Sequence, residues 1–110
     1  MAEAVEQPDD EELVRRIRRG DQQAASTLYG RYEASLRARA ARHLVGGVRR
    51  KIGVSDVVQE TCAAAFAGLD EFEDRGPGSF KRWLATIAEH KAADQVRRHL
   101  REGRDARREL

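Results

Sequence analysis

The chain has a single cysteine, two prolines and only 5% aromatic residues. With Cys62 alone, no disulfide framework forms within the chain, and His43, His90 and His99 are scattered without metal-ligand spacing beside it. A reducing cytoplasm is the compartment that suits such a chain. No apolar run approaches the ~18 residues of a membrane span, and the N-terminus is acidic where a secretory signal is basic and then apolar. Neither membrane insertion nor export is expected. Catalysis has as little to stand on: there is no glycine-rich phosphate loop, no serine or cysteine nucleophile with a neighbouring base, and no histidine–carboxylate cluster on one helix face. No metal and no cofactor are expected. The acidic stretch after Leu69 fails as a calcium loop. Asp70, Phe72 and Asp74 break the required alternation, Gly76 falls one place late, and Lys81 stands where the closing glutamate belongs.

What the chain does have is charge and helix formers. Its 110 residues suit one small domain, 36% of them are charged against ~25% in ordinary chains, and the formal net charge is only +2. The net value hides the pattern. Residues 1 to 12 hold six acids (Glu3, Glu6, Asp9, Asp10, Glu11, Glu12) and no base, so the remainder carries +8. Charge then alternates in blocks: six bases and no acid in Arg37–Lys51, six acids and no base in Val54–Asp74, seven bases against two acids in Arg75–Arg101. Opposite partners can dock on opposite surfaces of such a body.

Alanine, arginine, leucine and glutamate dominate, and their intrinsic preference is helical. The periodicity predicts an all-α domain, a compact bundle of about four helices with a long C-terminal helix. A first helix spans roughly Asp10 to Arg19 and stops at Gly20. Asp21 caps a second helix to about Leu44, with Ala25, Leu28, Tyr29, Tyr32, Leu36 and Ala40 at intervals of three and four, ended by Gly46-Gly47. A loop containing Arg49, Arg50 and Lys51 leads to Ser55, the expected N-cap of a third helix from Asp56 to about Leu69. There Val58, Cys62, Ala65, Phe66 and Leu69 form one stripe, while Asp56, Glu60, Ala63 and Ala67 project from the opposite side with Gln59 on the flank. Residues 70–78 read as a loop, and Ser79 as the cap of the final helix. Phe80, Trp83, Leu84, Ile87 and Ala88 form its apolar stripe. Past Ala88 that stripe meets Lys91, Asp94 and Arg98, and the apolar residues move to Ala92, Ala93, Val96 and Leu100, as for a helix passing from one packing partner to another or into solvent.

Trp83 alone suits a core anchor. Lys81 and Arg82 precede it, however, and Lys91, Arg97, Arg98 and Arg101 follow on the same helix, joining cations to an aromatic surface as strand binding requires. An arginine-rich helix serves equally as a solvated face, and composition does not choose between the two. Cys62, within the stripe of the third helix, reads as a small hydrophobe. His90 and His99 read as solvated helix residues able to hydrogen-bond a phosphate or base.

The order of the pieces is more specific than any one of them. Ser55-Asp-Val-Val-Gln-Glu-Thr-Cys-Ala-Ala-Ala-Phe, then Leu69-Asp-Glu-Phe, then Gly78-Ser-Phe-Lys-Arg-Trp-Leu-Ala-Thr-Ile-Ala-Glu-His-Lys-Ala-Ala-Asp-Gln-Val-Arg-Arg closely resemble region 2 of sigma-70 family factors of the extracytoplasmic-function (ECF) type. Upstream, Asp21-x-x-Ala-x-x-x-Leu-Tyr-x-x-Tyr resembles the opening helices of the same domain. The resemblance covers about residues 10–101, leaving 1–9 as a disordered acidic leader and 102–110 as a basic tail or the start of an interdomain linker.

The resemblance implies a bacterial transcription initiation factor domain that binds core RNA polymerase and recognises and melts the minus-ten promoter element by capturing non-template-strand bases. It places Asp56, Gln59 and Glu60 against the clamp helices of the largest polymerase subunit. It places Phe72, Ser79, Lys81, Arg82, Trp83, His90, Lys91, Arg97, Arg98 and Arg101 on promoter DNA, and residues 70–79 around an extruded base, with Phe72, Phe80 and Trp83 as candidate walls or core. An anti-sigma factor is the regulator that such a domain implies. Two departures stand out: His90 occupies a position where many members have asparagine, and Ser55 one where many have an acid. The family's second domain, a helix-turn-helix reading the minus-thirty-five element, has no counterpart here, so the chain reads as a fragment. A helix-turn-helix repressor is the nearest DNA-binding rival, but nine residues between the last helices are too many for its tight turn. A helical interaction module that regulates polymerase or a sigma factor without touching DNA is the alternative. It has no need of the Lys/Arg array.

Overall fold

The structure, a computed structural model, describes residues 7–44 and 53–108, with side chains through Glu102. Four helices and one 3-10 turn account for the regular structure of these residues: α1 (Asp10–Arg18), α2 (Gln22–His43), α3 (Val54–Ala67), the turn Leu69–Glu71, and α4 (Ser79–Arg108). The expected all-α bundle with a long last helix is what is found. The first six residues of the expected leader, Gly46-Gly47 and the Arg49-Arg50-Lys51 loop lie outside the described residues.

α1 begins where its chemistry dictates. Asp9 accepts a hydrogen bond from the Glu12 amide at 2.8 Å, with three acids in the first turn and Arg15, Arg16 and Arg18 in the last, each sign at the favourable end of the helix dipole. Asp9 and Pro8 are therefore engaged and not part of a loose leader; the Pro8 carbonyl accepts from Arg31 at 2.8 Å. Asp10 ties α1 to α2, pairing with Arg31 at 2.8 Å and accepting from the Tyr32 hydroxyl. Burial and that carboxylate acceptor push the Tyr32 hydroxyl up, so it stays protonated.

Asp21 caps α2 as expected, accepting from the Ala24 amide at 3.1 Å. The buried positions are Ala24, Leu28, Leu36 and Ala40, continued by Leu44 just past the helix. With the half-buried Tyr32 these make an i, i+4 ridge, so Ala24 rather than the expected Ala25 faces the core. α4 carries the same kind of ridge in Phe80, Leu84, Ala88 and Ala92. Ridges of this kind interdigitate in the commonest class of inclined helix crossing.

An i, i+4 ridge does not run straight along a helix. Four residues at about 100° each turn the buried face by about 40° per step. Between Phe80 and Ala92 it rotates by about 120°, and the single ridge therefore serves two clusters. Phe80, Leu84 and Ala88 join Leu13, Leu28, Val58 and Leu69, whereas Ala92 joins Ala40, Leu44 and Val57. The change of partner read from the sequence holds for Ala92 and Val96, as a gradual rotation, whereas Ala93 and Leu100 are exposed.

α3 departs from expectation at both ends. Gly53, not Ser55, stands at the cap position, its carbonyl accepting from the Asp56 amide at 3.1 Å, and no side chain caps the helix. Ser55 lies inside the first turn, where its hydroxyl accepts from Arg37 at 3.0 Å. Gly68 closes the helix and Leu69 belongs to the 3-10 turn. The buried face is Val57, Val58, Thr61 and Ala65, with Cys62 half-buried and Phe66 exposed. Wedged between α2 and α4, α3 buries a face centred between them, and Thr61 is admitted because its hydroxyl donates to the Val57 carbonyl at 2.7 Å. Burial pushes the Cys62 thiol up, which keeps it in the thiol form.

The Ala40–Ala92 crossing has no room to spare, Ala92 being 0% exposed. Ala92→Leu is expected to destabilise the domain by about 1–3 kcal/mol through overpacking, read as a lower midpoint in a thermal melt. Leu100→Ala, at a position 55% exposed, should stay within about 0.5 kcal/mol of the parent.

Candidate nucleic-acid interface

Residues 68–78 connect α3 to α4, and the segment from Leu69 to Ser79 is fastened at both ends. At the start, the Arg18 guanidinium donates to the carbonyls of Leu69 at 2.6 Å and Phe72 at 2.8 Å. At the end, the Asp74 carboxylate accepts from the Gly76 amide at 3.0 Å and the Ser79 hydroxyl at 2.8 Å, while the Ser79 hydroxyl accepts from the Arg75 amide at 3.2 Å. Gly76 and Gly78 have φ of +108° and +79°, which side chains with a Cβ rarely adopt, and a Cβ at Gly78 would meet an Arg82 nitrogen at 3.1 Å. The Gly-Pro-Gly spacing is thus a turn requirement. Ser79 is the first residue of α4 and not its cap; it is nearly buried and its hydroxyl is occupied by Asp74.

Three aromatic rings support this segment from below. Phe72 meets Phe80 edge-on at 5.4 Å and Trp83 at 5.0 Å, and Phe80 also meets Trp83 and Tyr32, both at 5.7 Å. Phe72 and Phe80 are core residues, whereas Trp83 is half-buried. Two hollows flank the loop. One, of about 300 Å³, is walled by Asp9, Asp10, Glu11 and Asp74; the other, of about 470 Å³, lies between Glu71, Glu73, Arg75, Arg82, Phe72 and Trp83. The first presents carboxylates alone, whereas the second sets two guanidinium groups beside two carboxylates, with Arg75 paired to Glu73 at 3.1 Å and Arg82 left as the cation next to Trp83; of the two, the second is the less hostile to a polyanion.

The cations of α4 do not form one array. Trp83, His90, Arg97 and Arg101 recur at intervals of seven, seven and four, a single stripe along the helix. His90, Arg97 and Arg101 are exposed, and Arg97 is paired with Asp94. Lys91 and Arg98 lie one residue round, on the flank towards α3, with Lys91 half-buried. Lys81 stands about 180° from His90, nine residues at about 100° each, and cannot share a surface with it. Arg82 lies between, at the hollow.

The partner face is also rearranged. Asp56 and Gln59 are exposed as expected. Glu60, expected to point outward with Asp56, is turned against α4: one carboxylate oxygen is 3.8 Å from Arg98, and the other is buried with no hydrogen-bond partner among the described residues. Glu60 lies on the flank where α3 meets α4, and a long side chain there reaches the neighbouring arginine sooner than bulk water. Two residues assigned to different surfaces thus touch. Sequence reasoning missed Arg18, which sits in a helix whose exposed side carries several arginines without distinction, and Arg75, hidden in an acidic run. No group of histidine, cysteine or carboxylate side chains among the described residues is arranged to hold a metal, and none of their helices is long and apolar enough to cross a membrane.

The family model for sigma-70 region 2 matches residues 28–102. This chain belongs to the sigma-70 region 2 family. Within it, the ECF RNA polymerase sigma-E factors of Escherichia coli (strain K12) and Salmonella typhimurium are each 38% identical over 91 residues, which cover 83% of this chain and 44% of theirs. The sigma-E factor of Haemophilus influenzae is 32% identical over 92 residues, 84% of this chain and 45% of its own. This sigma region 2 domain therefore spans less than half the length of the curated relatives it matches. An NMR structure of an engineered region 2 of sigmaE in complex with GTAAAA shares its fold with a TM-score of 0.75 at 32% identity, over 90% of this chain and 97% of that one.

The loop fastening of this region 2 domain has a definite pH dependence. The Gly76 amide, and then the Ser79 hydroxyl, hold the Asp74 carboxyl below its ordinary value of 3.8. A carboxyl lowered on folding stabilises the folded state fully above its unfolded value and loses that contribution as pH falls through the folded one. The Gly76 amide resonance is therefore expected to titrate with a midpoint below 3.8, and to lose that titration in Asp74→Asn, as followed by two-dimensional NMR.

Proposed function

We propose that this domain serves in bacterial transcription initiation: it binds core RNA polymerase through α3 and recognises and melts the minus-ten promoter element by holding non-template-strand bases at the loop before α4. The observation that carries this reading is the hollow of about 470 Å³ beside the loop, with Trp83 on its wall and Arg75 and Arg82 on its rim. An extruded base costs a few kcal/mol to unstack, and an aromatic wall with hydrogen-bonding backbone returns that energy through stacking and edge contacts. From Trp83 the stripe His90, Arg97 and Arg101 runs along α4, and a strand leaving the hollow meets these residues in turn. Lys91 and Arg98 extend the same surface towards α3. Lys81, on the far side of the helix, takes no part. Ser79 and Phe72 act from below, through the shape of the loop. The relative bound to GTAAAA supports a nucleic-acid role for this fold.

Asp56 and Gln59 supply the exposed acid and amide for the clamp helices of the largest polymerase subunit, and docking there suits a basic partner. Glu60 joins them only by leaving Arg98. An anti-sigma factor covering Asp56 and Gln59 keeps the domain from polymerase. The alternative, an interaction module with no strand contact, shares the α3 face and differs in leaving the α4 stripe unused.

Two substitutions separate these readings. Arg97→Ala with Arg101→Ala should weaken binding to a single-stranded promoter oligonucleotide and lower the slope of log affinity against log salt by about 1.4, two phosphate contacts at about 0.7 each. Pull-down of core polymerase should be unchanged. Asp56→Arg should do the reverse. An unaltered slope and strand affinity in the double variant leaves the interaction module as the better account.

A further inference from the structure

We infer that Arg18, on α1, is a positioning residue for base capture: its guanidinium sets the backbone of Leu69–Phe72 and thereby the aromatic wall on which a base stacks. The inference rests on the base-capture reading above and extends the working site to α1, which lies outside residues 28–102 matched by the family model.

One nitrogen of the guanidinium donates to two carbonyls, those of Leu69 and Phe72, across 51 and 54 residues of sequence. The Leu69 carbonyl already accepts the Phe72 amide at 3.2 Å, which closes the 3-10 turn. The Phe72 carbonyl has Arg18 as its donor among the described residues. Both acceptors therefore converge on one point only while the chain between them stays turned, and a charged donor fixes that turn better than a neutral one. Phe72 leaves the turn with ψ 129°, and its ring packs against Trp83 and Phe80 beneath the larger hollow. A shift of the Phe72 backbone is passed directly to the Trp83 ring. The nearby Asp70 carboxylate is 4.0 Å from the guanidinium and 91% exposed, too solvated to hold the segment by itself. Arg18 thus touches neither strand nor base, and acts through Phe72.

The test uses single-stranded DNA of sequence GTAAAA and six derivatives, each lacking one base, with affinity measured by anisotropy across a salt series. In the parent protein, removal of the captured base is expected to weaken binding by about tenfold, the scale of one base–aromatic stack. If all six derivatives bind as the intact strand does, the base-capture reading itself fails. Given a sensitive position in the parent, Arg18→Gln is expected to bring its ratio of intact to abasic affinity down to within about twofold of unity, while the salt slope stays at the parent value because no phosphate contact is lost. A full ratio in Arg18→Gln overturns the inference. So does an equal loss of affinity for all seven strands with a shallower slope, which marks Arg18 as a phosphate contact. Should Arg18→Gln lose its helical circular dichroism, Arg18→Met, which keeps the length of the stem and has no donor for the two carbonyls, decides: a reduced ratio supports the inference and a parental ratio overturns it.

Discussion

The buried ridge Phe80, Leu84, Ala88 and Ala92 holds the long helix α4 to the rest of the molecule, and every surface of functional interest is placed with respect to it. Because the ridge advances by four residues, it turns around α4 as it goes, engaging Leu28 and Val58 at one end and Ala40 and Val57 at the other. That rotation lets one helix lie across two neighbours and still leave an unbroken strip facing solvent. Trp83, His90, Arg97 and Arg101 occupy the strip. Had the apolar positions alternated by threes and fours, as in a coiled-coil seam, α4 would lie along one partner and the strip would stop where that partner stopped.

Much of the architecture is legible in the chain because it depends on local chemistry. Asp21 and the spacing of Leu28, Tyr32, Leu36 and Ala40 at every fourth residue define α2, and the order of the α3 and α4 motifs identifies the family, for such signals survive any tertiary arrangement. The errors fall where a residue answers to two neighbours at once. Ser55 reads as a cap until Arg37 is seen to occupy its hydroxyl and Gly53 to start the helix. Thr61 belongs to neither face read from the sequence, yet it is buried between α2 and α4 with its hydroxyl satisfied within its own helix. Arg18 reads as one more arginine in a charged helix, since nothing near it in sequence announces two carbonyls more than fifty residues away.

Charge shows the same limit. The sequence separates an acidic α3 from a basic α4 by blocks, and the exposed Asp56 and the exposed Arg97 and Arg101 respect that division. Glu60 and Arg98 do not: they meet at the seam between the helices, with one oxygen of Glu60 left buried and unpartnered among the described residues. An ion pair at 3.8 Å with both side chains partly solvated contributes little to stability. Its effect is on the surfaces, because each partner tempers the field of the other where the two faces adjoin.

The segment between α3 and α4 is clamped by Arg18 at its beginning and by the Asp74–Ser79 contacts at its end, while Glu73, Arg75 and Pro77 between them are open to solvent. Such a bridge can change its deck without disturbing its piers. Exchanging Glu73 or Arg75 alters the lining of the larger hollow, and exchanging Pro77 that of the smaller, while the bundle beneath keeps its packing.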